Sequence, residues 1–430
     1  MTGENRWALP GLVLLGLALR VYGAARAGLT FDESIVWAFA REIHLRPVLH
    51  LVSRTADHPL LNAYLARASS VAFGESDLGL RVLHACLGSA TIAVVYGLGK
   101  RLWDWRAGLV AAGLLAVDPF HVSWSRLIIE ETPLLLCEAL ALWLVWRGLT
   151  RGRATDFATA GLCVGLAYLA KETALLLLPA LAVALLLDER GRRALRTPGP
   201  WLGLLAALVL VGLDVAWSLG RGPEAHWRRA LGILARPPGL TLKGTSLYLG
   251  ELYRHLFGPD VLDSDYADGS AYATAWPLGL LYLAAVVAAL RRWREADRFL
   301  VVIFFFVFIT VTLIDGRRLF DPFWWASLSF LSAVLLLGGM GAPLCERVRS
   351  GAPLLIVALI ALALYDFSWL GRAGARAPRL TRQEWAARVA ADGEQRRLRG
   401  DLETARDQAR QALLLDADNA SARALLARVR

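Results

Sequence analysis

Apolar positions in this chain run in blocks and not in alternation. About eleven blocks stand out, at 7–25, 78–98, 107–125, 130–146, 156–170, 172–188, 201–219, 276–290, 299–314, 321–341 and 353–370. Each is close to the ~20 residues that a helix needs to cross the hydrocarbon core of a bilayer. Inside that core every backbone N–H and C=O must be paired, and the period-2 pattern of barrel strands is missing, so the blocks predict helices. The expected fold class is all-α, a polytopic helical membrane protein of about eleven spans.

The polar stretches between blocks carry the orientation signal. Alternate short loops hold Lys100, Arg101 and Arg106; Arg147, Arg151 and Arg153; Arg190, Arg192, Arg193 and Arg196; Arg291, Arg292, Arg294 and Arg298; Arg347 and Arg349. Cation-rich loops stay on the cytoplasmic side, so the N-terminus is expected inside a multi-pass protein of the cytoplasmic membrane. The stretches 26–77, 119–129, 171, 219–275 and 315–320, and the C-terminal segment, are then extracytoplasmic. Two of these exceed a simple connection. In 26–77, Ile35, Phe39 and Ile43 recur at helical spacing among the polar Asp32, Glu33, Arg41 and Glu42. His58-Pro59 opens a second helical pattern with Leu61, Leu65 and Ala68 on one side. Both predict amphipathic helices lying in the interfacial plane. The stretch 219–275 carries Pro237-Pro238, Gly239, Gly258-Pro259 and the acids Asp260, Asp263, Asp265 and Asp268. It predicts short helices and a loop able to order over a ligand.

Composition supports the membrane reading. Of 430 residues, 56% are hydrophobic and 20% charged, unlike a soluble chain of two or three domains. The net charge of +10 sits in the short loops, where it orients the spans, so nucleic acid is not an expected partner. Cys86, Cys137, Cys163 and Cys345 lack metal-ligand spacing and read as small core residues, not disulfides. The first block ends at Arg20 and Tyr22 without a small-residue cleavage site and predicts an uncleaved span.

After the last block the composition shifts. The expected organisation is a transmembrane domain over 1–370, a linker over 371–383 and a helical segment over 384–430. In that segment Gly400, Asp401, Leu402, Ala405, Ala409, Ala412, Leu413, Asp418, Asn419 and Ala422 resemble one tetratricopeptide (TPR) repeat; the plainer reading is a helical hairpin. A single repeat rarely folds alone, so it is expected to dock on the membrane domain, on a protein partner or on a second copy.

Candidate chemistry gathers in acids at the external membrane edge. Asp32-Glu33 opens the first external helix, where a carboxylate also suits the positive helix N-terminus, so a plain cap is the bland reading. Its setting lifts it above that: it follows span one, in a long external loop, after an Arg20 placed inside an apolar block. Arg20, Phe31-Asp32-Glu33 and Ala40-Arg41-Glu42-Ile43 resemble the opening of the GT-C glycosyltransferases of the protein-O-mannosyltransferase and aminoarabinose-transferase group, glycosyltransferase family 39. Asp57-His58-Pro59-Leu60 is similar to that family's acidic-basic-Pro-Leu segment, and Phe73-Gly74, Arg81 and the Tyr96 to Leu102 stretch are similar to its second span. Further on, Ser125-Arg126 with Glu131 and Pro133-Leu134 resembles a Ser-Arg…Asp…Pro-Leu motif. Leu169-Ala170-Lys171 with Pro179 resembles a Lys…Pro segment, and Arg317-Arg318 before Pro322 a late basic loop. The likeness is good over about 7–190 and weak elsewhere; its specificity lies in the order and spacing of degenerate pieces.

The resemblance implies a membrane glycosyltransferase that takes a sugar from a polyprenyl-phosphate donor, works outside and inverts the anomeric carbon. A lipid phosphate is already a competent leaving group, so the chemistry asks for a base on the acceptor hydroxyl and cations on the departing phosphate. Asp32 is the expected base, with Glu33 orienting it or the acceptor. His58, Lys171, Arg317 and Arg318 are the expected phosphate ligands. Asp57, Arg126, Glu130, Glu131 and Glu138 are the expected sugar or acceptor contacts, with Arg126 alternatively tying Glu130 or Glu131 in a structural pair. His58 and Glu131 stand where the family has Lys and Asp.

Plainer readings sit beside these. Lys171-Glu172 reads as a hairpin ion pair, Arg317-Arg318 as headgroup-level anchors, Glu138 as an interhelical hydrogen bond, and Asp214 and Asp366 as packing acids. No cofactor is required, and a divalent ion at Asp57 or Glu131 stays open. Membrane lipids are expected partners, and the acceptor is a protein, a lipid or a polysaccharide. The rivals are a transporter and a non-catalytic scaffold presenting the C-terminal helices. No repeat of halves is detectable and the strongest acids gather at one surface, which favours the enzyme.

Overall fold

The computed structural model describes residues 7–25, 28–45, 61–219, 276–315, 322–347, 361 and 380–429. The last expected span and the expected 219–275 loop lie outside these residues, apart from residues 361 and 219. Among the described residues the elements are helical, with one isolated antiparallel bridge between Leu29 and Leu380.

Helix α1 (Ala8–Ala24) leads to α2 (Phe31–Leu45), α3 (Leu61–Phe73) and α4 (Asp77–Leu102). The span expected over 107–125 is broken: α5 (Trp105–Val117) stops at Asp118, and α6 (Pro119–Trp124) restarts. Pro119 lacks the N–H that a continuous helix would use, and Asp118 Oδ1 caps the new start, accepting from His121 N at 3.0 Å. Next come α7 (Glu131–Arg151), α8 (Ala154–Ala170), a 3-10 turn at Glu172–Leu176, α9 (Leu177–Leu187), the short α10 (Glu189–Ala194) and α11 (Pro198–Leu219). Helices α12 (Trp276–Arg292), α13 (Glu295–Asp315) and α14 (Pro322–Arg347) follow. The C-terminal segment is α15 (Arg382–Leu398), α16 (Leu402–Leu415) and α17 (Ala420–Arg428); it begins inside the expected linker, at the bridge residue Leu380.

Packing builds a bundle with an apolar core and an apolar skin. Helix α4 lies against α1, α5 and α7, and α14 against α5, α12 and α13. Ile92, Val95, Leu115, Leu142 and Leu335 are fully buried between them. Helices α8 and α11 meet through glycine: a Cβ on Gly161 would lie 1.8 Å from Gly203 O. Lipid offers no hydrophobic drive between helices, so such close backbone approach supplies the dispersion contact that holds them. On the outside, Leu205 and Leu213 of α11 remain 58% and 63% exposed, a surface suited to lipid and not to water. Helices α4 and α7, and α11 over Pro198–Ala216, are each long and apolar enough to cross a membrane unaided.

The two ends of the bundle differ. One collects the ion pairs Arg147–Asp156, Arg190–Glu295, Arg298–Asp188 and Arg292–Asp297. The other holds α2, α3, the 125–130 connection, the turn at Lys171 and the C-terminal helices. Helix α3 packs through a small polar face: Ser69 Oγ donates to Gly79 O at 2.6 Å and Asn62 Nδ2 to Ile128 O at 2.9 Å. Its Leu61 and Leu65 stay half-exposed. Helix α2 departs from the expected open interfacial helix. Val36, Trp37, Ala38 and Ala40 are buried in a satellite core with Trp385, Ala386, Val389 and Leu415, so the C-terminal helices cover it.

Candidate active site

Thr30-Phe31-Asp32-Glu33 has the spacing of a capping box, and the structure closes it. Glu33 N donates to Thr30 Oγ1 at 3.3 Å and Thr30 N to Glu33 Oε2 at 3.0 Å, satisfying donors left open at the first turn of α2. Gly28, at φ +84°, turns the chain from α1 into this start.

Glu33 is also the anion of a buried bidentate pair. Arg81, near the start of α4, donates Nε to Glu33 Oε1 and Nη2 to Oε2, both at 2.7 Å, and neither side chain is exposed. Arg81 donates further to Ala24 O at 3.1 Å and Gly28 O at 2.6 Å, and Ile128 N donates to Glu33 Oε1 at 3.3 Å. The end of α1, the turn before α2, α4 and the 125–130 connection thus meet on one ion pair. A buried pair is tolerable when hydrogen bonds satisfy its remaining valences, which this network does.

The neighbouring carboxylates are therefore unequal. Glu33 is fully buried, and through its bonds with Thr30 N and Arg81 it holds the turn on which Asp32 stands. Asp32 itself is half-buried.

A second buried pair lies at the same end. Lys171, in the turn after α8, donates Nζ to Glu131 Oε1 at the start of α7. Lys171 was expected on a donor phosphate, or in a pair with Glu172; the structure pairs it with Glu131, 40 positions away. Glu130 is half-buried beside it. Arg126 reaches back to the first span. Its Nε and Nη2 donate to Leu19 O at 3.0 and 2.7 Å, because the chain at the end of α1 offers that carbonyl to the 125–130 connection. Glu138 is fully buried two turns further along α7, and neither of its carboxylate oxygens has a hydrogen-bond partner among the described residues. Asp214 accepts from Tyr168 Oη at 2.8 Å, joining α11 to α8. Asp57, His58, Arg317 and Arg318 lie outside the described residues. Among the described residues no three His, Cys, Asp or Glu side chains converge as a metal site.

Another polar cluster sits at the break in the third span. Helix α5 ends at Val117, so its last carbonyls lack intrahelical donors. Arg20 supplies them, donating Nη1 to Ala116 O at 3.2 Å and Nη2 to Leu115 O at 3.1 Å, and Nη2 reaches His121 Nδ1 at 2.6 Å. Tyr282 Oη donates to Asp118 Oδ2 at 2.7 Å, tying α12 to the break. The sign in the sequence is Asp118-Pro119 inside one apolar block and Arg20 inside another. Arg81 has a weaker sign, a lone cation near the start of an apolar block.

Known proteins share this architecture. Residues 57–217 match the family described as dolichyl-phosphate-mannose-protein mannosyltransferase. An undecaprenyl phosphate-alpha-4-amino-4-deoxy-L-arabinose arabinosyl transferase of Pseudomonas fluorescens is 25% identical over 252 residues, which cover 53% of this chain and 42% of the relative. A transferase of the same description from Pseudomonas aeruginosa is 29% identical over 191 residues, 41% of this chain and 33% of the relative. The chain thus spans less than half the length of the curated relatives it matches. Among solved structures, ArnT from Cupriavidus metallidurans bound to undecaprenyl phosphate superposes with a TM-score of 0.61 at 15% identity, covering 98% of this chain and 77% of that one. The oligosaccharyltransferase of Archaeoglobus fulgidus gives a TM-score of 0.57 at 15% identity, covering 90% and 55%. These likenesses give the fold.

Proposed function

We propose that this chain, whose residues 57–217 match the dolichyl-phosphate-mannose-protein mannosyltransferase family, is an integral-membrane glycosyltransferase with a GT-C fold. It takes a sugar from a polyprenyl-phosphate donor and passes it to an acceptor hydroxyl at the end of the bundle that carries α2. The observation that supports this most is the unequal pair: Arg81 locks Glu33, and Asp32 is left half-buried on the turn so fixed.

Asp32 accepts the proton of the acceptor hydroxyl as that oxygen attacks the anomeric carbon. The bond from that carbon to the phosphate oxygen breaks, and its electron pair leaves on the polyprenyl phosphate, so a single displacement inverts the centre. His58, Arg317 and Arg318 hold the departing phosphate through charge-assisted hydrogen bonds. Lys171 adds to their field while it holds Glu131, and Glu131, Glu130, Glu138 and Asp57 serve the sugar or the acceptor. Arg126 acts through the backbone it anchors.

The cationic end of the bundle faces the cytoplasm, which sets the N-terminus inside and α2 with the C-terminal helices outside the cytoplasmic membrane. The membrane domain then carries the chemistry, and the C-terminal helices form a second segment that docks on α2. The broken helix at Asp118 is a feature that a transporter would share. Its Arg20, His121 and Tyr282 are engaged with one another's helices, as a structural joint requires.

The test offers purified protein a panel of radiolabelled polyprenyl-phosphate sugars with membrane extract as acceptor, and compares wild type with Asp32→Asn. Loss of transfer in a folded variant supports the reading. Equal transfer by both proteins removes Asp32 from the chemistry, and no transfer by either from any donor returns the weight to a transporter or scaffold.

A further inference from the structure

The C-terminal helices do not hang from the bundle by a tether. Leu29 and Leu380 exchange backbone hydrogen bonds, Leu29 N to Leu380 O at 3.0 Å and Leu380 N to Leu29 O at 3.3 Å. Leu29 O also accepts from Trp385 Nε1 at 2.9 Å, and the Trp385 ring meets Phe31 edge-on at 5.6 Å between centroids. Arg382 donates to Glu75 O and lies 3.4 Å from Asp77 Oδ1. Asp77 Oδ2 in turn accepts from Gly28 N at 2.8 Å. Arg382 also stacks over the buried Trp37 ring of α2, at 4.6 Å from its centroid.

Apart from those of Arg382 with Glu75 and Asp77, these contacts fall on residues 28–37, the stretch that sets Asp32. From the bundle side that stretch is held by Arg81, through Gly28 O and Glu33. From the other side it is held by α15. Asp32 lies between the two clamps, one residue from Phe31 and one from Glu33.

We infer that the C-terminal helical segment is a positioning element for the reaction, in which Trp385 and Arg382 fix the turn at 28–31 and so aim the Asp32 carboxylate. The inference rests on the reading of Asp32 given above and goes beyond it, because it assigns catalytic work to a segment that the membrane fold does not need. Trp385 and Arg382 touch no reacting atom; they act through Leu29, Phe31 and Asp77. A base displaced by about 1 Å loses on the order of 100-fold in rate, so loosening one of two clamps is expected to cost 10- to 100-fold.

The test uses full-length protein in nanodiscs. Trp385→Phe keeps an aromatic ring, though a smaller one, and removes the donor to Leu29 O; Arg382→Ala, on a more exposed side chain, guards against misfolding of the first variant. Turnover is normalised to the number of sites that bind polyprenyl phosphate, so that a smaller folded fraction does not mimic a slower enzyme. Amide exchange of residues 28–34 is read alongside. Both variants are expected to lose turnover about 10-fold or more with donor KM within about twofold of wild type. Exchange at 28–34 should rise while that of α7 is unchanged. Normal turnover with faster exchange would show that the docking only packs α2, and slower turnover with unchanged exchange would place the effect elsewhere; either overturns the inference. Asp32→Asn is run beside them. If it transfers sugar normally, the reading of Asp32 falls and takes the inference with it. If it is inactive while Trp385→Phe and Arg382→Ala turn over normally, the inference alone falls.

Discussion

Replacing Arg81 by Met removes four donated hydrogen bonds and leaves the Glu33 carboxylate buried without its counter-ion. Breaking a buried pair from one side costs about 3–5 kcal/mol, because the remaining charge has lost both water and partner. Thr30 N and Ile128 N still donate to Glu33, which places the expected loss at the lower end, about 3 kcal/mol. Glu33→Gln should cost about as much by the opposite route: the Arg81 charge keeps two carbonyls, but the new amide NH2 turns a donor toward Arg81 or Thr30 N. The double variant Arg81→Met/Glu33→Gln buries no charge at all. Its loss should therefore be about 2 kcal/mol smaller than the sum of the two single losses.

The assay is unfolding of the purified protein in SDS-containing mixed micelles, followed by far-ultraviolet circular dichroism, with sugar transfer measured on the folded fraction. Both single variants should also transfer slowly, since the capping box and the turn below Asp32 share the same carboxylate. Single variants within about 0.5 kcal/mol of wild type, or a double variant equal to the sum, would refute the view that this pair holds the site together.

Other perturbations reach different parts of the molecule. Gly161→Ala drives a methyl into Gly203 O and should destabilise by about 2–3 kcal/mol in the same titration, with helical content retained before the transition. Lys171→Met leaves Glu131 buried and unpaired and should cost about 3–4 kcal/mol, more than half of it recovered by adding Glu131→Leu. In the C-terminal segment, hydrogen bonds from Thr381 hold the Glu384 carboxyl below its usual range. A depressed folded-state value means that the cap is stable above the unfolded value and is lost as pH falls through the folded one. Amide exchange at 381–385, corrected for its intrinsic pH dependence, should therefore rise below about pH 4 in wild type and not in Glu384→Gln.

The sequence exposes what is local and hides what is paired. Spans are readable because a bilayer imposes one length and one composition on every crossing, and the described spans fall where the apolar blocks lie. The α5–α6 break escapes such a reading, because a window that averages hydrophobicity passes over a single Asp-Pro. Arg81 and Glu33 are 48 positions apart, and Trp385 and Leu29 are 356 apart; neither distance leaves a periodic trace. Two helix starts were within reach. Thr30-x-x-Glu33 and Thr381-x-x-Glu384 are the same capping pattern, and each closes as that pattern requires. Their relation to each other was not within reach. The residue before each cap, Leu29 in one and Leu380 in the other, pairs with its counterpart, so the two helices begin side by side from one bridge. A carboxylate placed within the first turn of one is thus held by the start of the other, and what looks in sequence like an appendage after the last span becomes a wall of the proposed site.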